Sequence, residues 1–310
     1  MNRFNFFRVL TLAFLLSALP FASTAKELKV LTIGNSFAHS LGAHLPKVAA
    51  SVPGCNLKLG FANLPGCSLR QHWYNAEREE KNESAKFYGK AMGQPAVYKL
   101  REILTSEKWD IISIQQASRD SWRPETFQPY ADKLIGYIRN YAPQAEIVIQ
   151  QTWTYRRDCP LFKEWNITPK QMYSALNANY KKLAKDRGLR VIPTGLAVEL
   201  GRSEQPEICV PYDKAKLSEL VPPDLPSRAN LLVGDCFWRK GKNGDLWLRQ
   251  DYIHLSPRGE YMQACLWFAF LFDKKTSEIA YTPNFIGKSD ARWLRDKAQQ
   301  ALDSYMQAEQ

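Results

Sequence analysis

Ser36, Asp251 and His254 lie far apart in this sequence, yet their side-chain types fit together as a proton relay. A serine hydroxyl is a weak nucleophile until an imidazole takes its proton. The imidazole is held in the useful tautomer when a carboxylate bonds its other ring nitrogen. Asp251 and His254 are three residues apart, a spacing that on one turn of chain brings the carboxylate to Nδ1 and points Nε2 toward Ser36. Attack on an acyl carbonyl also creates a negative oxygen that needs hydrogen-bond donors. The backbone N–H groups of Ser36 and Gly66, with a side-chain amide, are the donors expected, and glycine suits a point where backbone must approach a ligand closely. The chemistry implied is acyl transfer to water through a covalent serine ester.

Such residues meet only if the chain brings them to one edge of a scaffold. Strand signals run over Leu28–Ile33, Asn56–Ala62, Trp109–Ile114, Glu146–Gln150 and Leu189–Ile192. Between them Leu41–Ala50, most of Ser68–Thr105, Phe127–Tyr141 and Thr168–Arg187 carry helical spacing, the last stopped by Gly188. Five buried-type strands alternating with helices predict an α/β protein, a doubly wound three-layer α/β/α sandwich on a five-stranded parallel sheet. Ligands bind such sheets beyond the carboxyl ends of the strands. Asn35-Ser36, Gly66, Gln115–Ser118 and Thr152-Trp153 all fall at those ends. From Ser203 to Trp247 five prolines, Gly241 and Gly244 interrupt any period, so this stretch is expected to run as a long loop over the substrate side, in position to act as a lid. A helix over Pro257–Phe272 and a terminal one over about Asp290–Met306 complete the chain.

Met1–Ala25 reads as a secretion signal: Arg3 and Arg8, an apolar run from Val9 to Phe21, then Ser23-Thr24-Ala25 as a cleavage site. Pro20 breaks the run short of the roughly 18 apolar residues a membrane span needs. Without a cysteine after the cleavage region, a lipid anchor is not expected. The mature protein, residues 26–310, is expected as one domain, secreted or periplasmic, with no stable membrane insertion. The formal net charge of +11 comes from scattered Lys and Arg with no basic stripe among aromatics, which argues against nucleic acid as a partner. The acidic residues show no ligand spacing, so neither a metal nor another cofactor is expected. Six cysteines match no metal pattern either; Cys55 with Cys67 and Cys209 with Cys236 are the candidate disulfides, and Cys265 in its apolar run is expected as a buried thiol.

Five blocks in order carry a resemblance: Val30-Leu-Thr-Ile-Gly-Asn-Ser36, Gly66-Cys-Ser-Leu-Arg-Gln-His-Trp73, Trp109-Asp110 with Gln115, Thr152-Trp153, and Asp251-Tyr-Ile-His-Leu-Ser256. Together they resemble the SGNH/GDSL hydrolase superfamily, and within it a secreted bacterial branch of unknown function. The resemblance implies a serine ester hydrolase in which Ser36 attacks, His254 relays the proton and Asp251 orients the ring. Two departures stand out. Gly-Asn-Ser replaces the usual Gly-Asp-Ser, and Gln115-Gln116-Ala117-Ser118 replaces Gly-x-Asn-Asp, so Gln115, with Gln116 in reserve, is the expected amide donor to the oxyanion. Asn35, His72, Trp122, Trp153 and Trp238 are the substrate-binding candidates, the tryptophans by stacking on sugar rings, although each aromatic reads equally well as packing. His39 and His44 are expected at a helix surface or pocket edge. The substrate expected is an acylated carbohydrate or other small ester that loses an acetyl or short acyl group. A lipase or aryl-esterase is the enzymatic alternative, and a non-catalytic glycan-binding protein the alternative of another class.

Overall fold

The computed structural model describes residues 27–89, 96–205, 219–226 and 230–309. The expected secretion signal and Cys209 lie outside the described residues. Strands β1 (Leu28–Gly34), β2 (Leu57–Asn63), β3 (Ile111–Ile114), β4 (Glu146–Gln150) and β5 (Arg190–Ile192) form one parallel sheet in the order β2-β1-β3-β4-β5. Their Val- and Ile-rich runs suit a sheet covered on both faces; every residue of β3 is buried. The fold class expected from the sequence is the one observed.

Helices α1 (Ser36–His39), α2 (Leu45–Ala50), α3 (Leu69–Lys81), α4 (Leu100–Thr105), α5 (Tyr130–Tyr141), α6 (Leu161–Trp165), α7 (Pro169–Arg187), α8 (Thr194–Glu204), α9 (Pro257–Phe272) and α10 (Lys288–Glu309) supply the cover. Helix α9 packs against α2, α8 and α10 in one layer, while α5 packs against α3 and α4 in the other. Local signals fix the ends. Thr168 caps α7 through the Gln171 N–H, Pro169 opens it, and Gly188 closes it at φ 62°. Ser256 caps α9, which is apolar almost all round because it lies in the middle of its layer.

Because β1 is flanked by β2 on one side and β3 on the other, the chain leaves the sheet in opposite directions at the ends of β1 and β3. A crevice opens there, as at any such reversal of strand order. Ser36 follows β1 directly, and the loops after β2 and β3 bring Gly66 and Ser118 to the same edge.

The segment read as a loop to Trp247 is structured at its end. Val233–Lys240 (β6) and Leu246–Leu255 (β7) form an antiparallel hairpin. Alternation was hidden because this two-stranded ribbon leaves most of its middle residues and its charged tip partly or fully exposed. Among the described residues of 203–247, none lines the crevice that holds Ser36.

Cys55 and Cys67 do not pair; both are buried free thiols. They sit at opposite ends of β2, whose seven residues at roughly 3.3 Å each span far more than the ~7 Å between Cα atoms that a disulfide tolerates. Burial pushes the Cys67 thiol up to about 12. Cys265 is a fully buried thiol in α9, likewise pushed up to about 12 by burial. Among the described residues, no helix is long and apolar enough to cross a membrane.

Candidate active site

Ser36 opens α1, and Asn35 caps it. The Asn35 Oδ1 accepts from the Phe37 N–H at 3.1 Å and from Gln115 Nε2 at 2.6 Å, while its Nδ2 donates to the Cys67 carbonyl at 3.0 Å. One buried amide thus ties together the loops after β1, β2 and β3. An aspartate could accept the first two bonds but could not make the third. Gly34 permits this arrangement, since a Cβ there would stand 2.9 Å from the Gln115 side chain.

The Ser36 hydroxyl lies 2.8 Å from His254 Nε2, and His254 Nδ1 lies 2.7 Å from Asp251 Oδ2. Burial pushes the Asp251 carboxyl up, but bonds from the His254 ring and from the His254 and Ile253 N–H groups outweigh it and hold the carboxyl at about 2. Asp251 is therefore ionised at neutral pH. Nδ1 carries the proton and donates to it, and Nε2 is left to accept from Ser36.

The Asp-x-x-His segment is in β7, not on a helical turn. In a regular strand, residues three apart face opposite ways. Here the ladder is irregular: Asp235 pairs with Asp251 and Val233 with Leu255, so the stretch between bulges out. Asp251 Oδ1 takes up the freed Ile253 and His254 N–H groups at 2.8 and 2.9 Å, which folds the carboxylate back onto the ring.

Two residues hold this bulge from below. Trp153 is fully buried, stacks on Phe37 with ring centroids 4.0 Å apart, and donates its indole N–H to the Ile253 carbonyl at 2.9 Å. It therefore connects the serine and histidine elements and has no face for a sugar. Arg156, also fully buried, is paired with Asp158, donates to the Gln250 side chain and the Asp251 carbonyl, and uses its backbone N–H to bond the Tyr252 carbonyl. Sequence reasoning missed Arg156; a charged side chain so close behind β4 was the available signal.

Other candidates are also displaced. Gln115 is buried, donates from Nε2 to Asn35 and does not line the crevice, so the structure places it as a positioning residue at the nucleophile turn. Gln116 accepts from the Leu69 and Ala117 N–H groups and donates to Thr126, which removes the reserve candidate as well. His72 lies beneath the site. Burial pulls its imidazole down to about 4, so the neutral ring donates from Nε2 to the Gly34 carbonyl at 2.9 Å and accepts at Nδ1 from Tyr88. Trp238 projects from β6 and donates to the Asp224 carbonyl, outside the crevice. Trp122 stands behind Trp165, 5.6 Å between ring centroids, and Trp165 is the tryptophan that reaches the crevice. His39 is exposed at the end of α1, whereas His44 is buried against Tyr261 and Tyr281, contrary to a surface place.

The crevice itself has a volume of about 600 Å³, within the range of small-molecule sites. Ser36, Gly66, His254, Tyr155, Leu161 and Trp165 line it. Gly66 has φ +62°, a left-handed conformation that favours glycine. Among the described residues, neither the Ser36 nor the Gly66 N–H has a protein acceptor. The Ser118 hydroxyl, also on the crevice, is 2.8 Å from the Tyr155 hydroxyl. A second carboxyl, Glu260 in the first turn of α9, is pushed up to about 7 by burial, against the pull of His254. At neutral pH Asp251 is thus the carboxyl fully charged beside the ring. Among the described residues, no group of three His, Cys, Asp or Glu side chains is placed to hold a metal ion.

The α/β/α sandwich and its strand order make the chain an α/β protein with a serine at the point where that order reverses. More narrowly, it belongs to the family described as Domain of unknown function (DUF4886), matched over residues 29–214. It resembles the crystal structure of a DUF4886 family protein from Bacteroides uniformis with 23% identity and a TM-score of 0.67, over 89% of this chain and 95% of that one. An acetyl xylan esterase, AlAXEase, is similar at 12% identity and a TM-score of 0.41, over 76% of this chain and 96% of its own. A GDSL-like lipase from Bacteroides thetaiotaomicron is similar at 11% identity and a TM-score of 0.40, over 79% and 88%. No curated protein matches the sequence.

Proposed function

We propose that this protein is a serine ester hydrolase that removes acetyl or other short acyl groups from a carbohydrate, after export to the periplasm or the cell exterior. The observation that supports it most is the continuous relay from Ser36 through His254 to Asp251 at 2.8 and 2.7 Å, opening into a crevice with two unused backbone N–H groups. Ser36 attacks the acyl carbonyl as His254 Nε2 takes its proton, and Asp251 stabilises the imidazolium. The Ser36 and Gly66 N–H groups hold the oxyanion. His254 then protonates the departing sugar oxygen, leaving an acyl-serine, and water activated by the same ring releases the acid.

With both glutamines committed elsewhere, the third oxyanion donor in this reading is the Ser118 hydroxyl, whose lone pair takes the Tyr155 proton. Ser118→Ala is expected to lower kcat by about 10²-fold with little change in KM; an unchanged kcat on a short acyl ester would leave the two backbone groups as the whole oxyanion hole.

The partly exposed Trp165 ring gives the crevice an apolar face on which a sugar can stack. Residues 26–310, offered acetylated oligosaccharides, p-nitrophenyl acetate and long-chain acyl esters, are expected to release acetate from the sugars with the highest kcat/KM. Preference for long chains would favour a lipase, and binding of acetylated sugar without release of acid would favour a non-catalytic glycan receptor.

A further inference from the structure

We propose that Arg119 and Arg123 form an anion subsite beside the nucleophile, so that the ester preferred is borne by a substrate carrying a carboxylate near the scissile bond. This rests on the esterase reading for the identity of the reacting group, but not for the binding it describes. Both arginines lie on the loop after β3, and both line the crevice that contains Ser36. Arg119 Nη2 stands 3.4 Å from where a Cβ on Gly66 would be, which places its guanidinium against the turn that offers the oxyanion donor. The Arg123 guanidinium rests 4.7 Å above Trp122 and 5.9 Å from Trp165. Stacking of this kind restrains a guanidinium while leaving its in-plane N–H fork free.

Neither guanidinium is held in an ion pair within the fold, although both act on the Asp120 carboxyl that lies between them in sequence. Arg101, Arg156, Arg187, Arg190, Arg202 and Arg258 each meet a carboxylate. Among the described residues, no carboxylate forms an ion pair with Arg119 or Arg123, and neither guanidinium has a protein hydrogen-bond acceptor. Glu164 is the one acidic side chain on the crevice, and it too is outside ion-pair distance of both. Two guanidinium forks without an ion-pair partner, in one concave, partly apolar site, match a carboxylate in geometry as well as charge. That carboxylate can belong to the sugar, as in a uronic acid, or to the acyl group, as in a malonyl ester.

The test uses matched probes. Binding of methyl glucuronoside and methyl glucoside, which differ only in carboxylate against hydroxymethyl, is measured by calorimetry on Ser36→Ala protein at low ionic strength. The acid is expected to bind about tenfold tighter or more, with the advantage shrinking in 0.5 M salt and lost when Arg119→Gln and Arg123→Gln are added. Equal binding of the two, or an advantage that survives both arginine substitutions, would overturn the subsite whether or not the protein is an esterase. Turnover then separates the two sources. A kcat/KM advantage for O-acetyl methyl glucuronoside over O-acetyl methyl glucoside assigns the carboxylate to the sugar, and an advantage for O-malonyl over O-acetyl methyl glucoside assigns it to the acyl group. Loss of rate in the double variant by the same factor for acidic and neutral esters would contradict the proposal and make the arginines part of the general oxyanion field.

Discussion

Ser36→Ala protein is expected to hydrolyse a short acyl ester about 10⁴-fold more slowly than the wild type, or worse, with the loss in kcat. The hydroxyl supplies the bond-forming atom, and nothing else in the crevice replaces it. Cys67 follows the neighbouring turn, but its thiol is pushed up to about 12 by burial and is not a nucleophile at neutral pH. The substitution removes one oxygen at a helix start whose cap is Asn35, so its cost in stability is about 0.5 kcal/mol or less. A variant that keeps its fold and most of its rate would remove Ser36 from the mechanism.

Asp251→Asn should cost about as much, on the order of 10⁴-fold in kcat. The neutral amide no longer requires a proton on Nδ1. If its N–H turns toward the ring, the imidazole must carry its proton on Nε2, where the Ser36 proton has to go. The same substitution has a signature in stability. The Asp251 carboxyl is held below its ordinary 3.8, at about 2, so its ionised form stabilises the folded protein at every pH above about 3.8, and that contribution is lost as pH falls toward 2. Urea unfolding should show a wild-type advantage over Asp251→Asn that is full at pH 7 and reduced at pH 3. An advantage independent of pH would mean that the carboxylate is not bonded as described.

The parts of the fold that were legible are those where one local signal sufficed. Thr168, Pro169 and Gly188 mark both ends of α7, and the run Glu146–Gln150 is a strand to the residue. Ser36 and the Asp251–His254 pair were legible because each is a short local pattern whose chemistry requires the other. What was not legible depended on a side chain's direction. Gln115 follows β3 where a donor to substrate was wanted, but its amide turns back to Asn35 through the space Gly34 leaves open. Asn35 and Gln115, which stand at the two places where the sequence departs from the pattern it resembles, are therefore two halves of one hydrogen bond. Trp153 and His72 show the same limit, since aromatic and imidazole rings near a strand end serve equally to line a site or to build the floor under it. The β6–β7 hairpin was missed because a ribbon with both faces partly in water has no clear period of two.

The most direct measurement is covalent. Residues 26–310 are treated with a fluorophosphonate, digested, and the modified residue located by peptide mass, in parallel with the His254→Ala variant. One adduct per chain on Ser36 is predicted, with labelling slowed at least a hundredfold, on the order of the contribution of general-base catalysis, when His254 is removed. An unlabelled Ser36, or labelling that proceeds at the same rate without the imidazole, would contradict the relay on which the proposed activity rests.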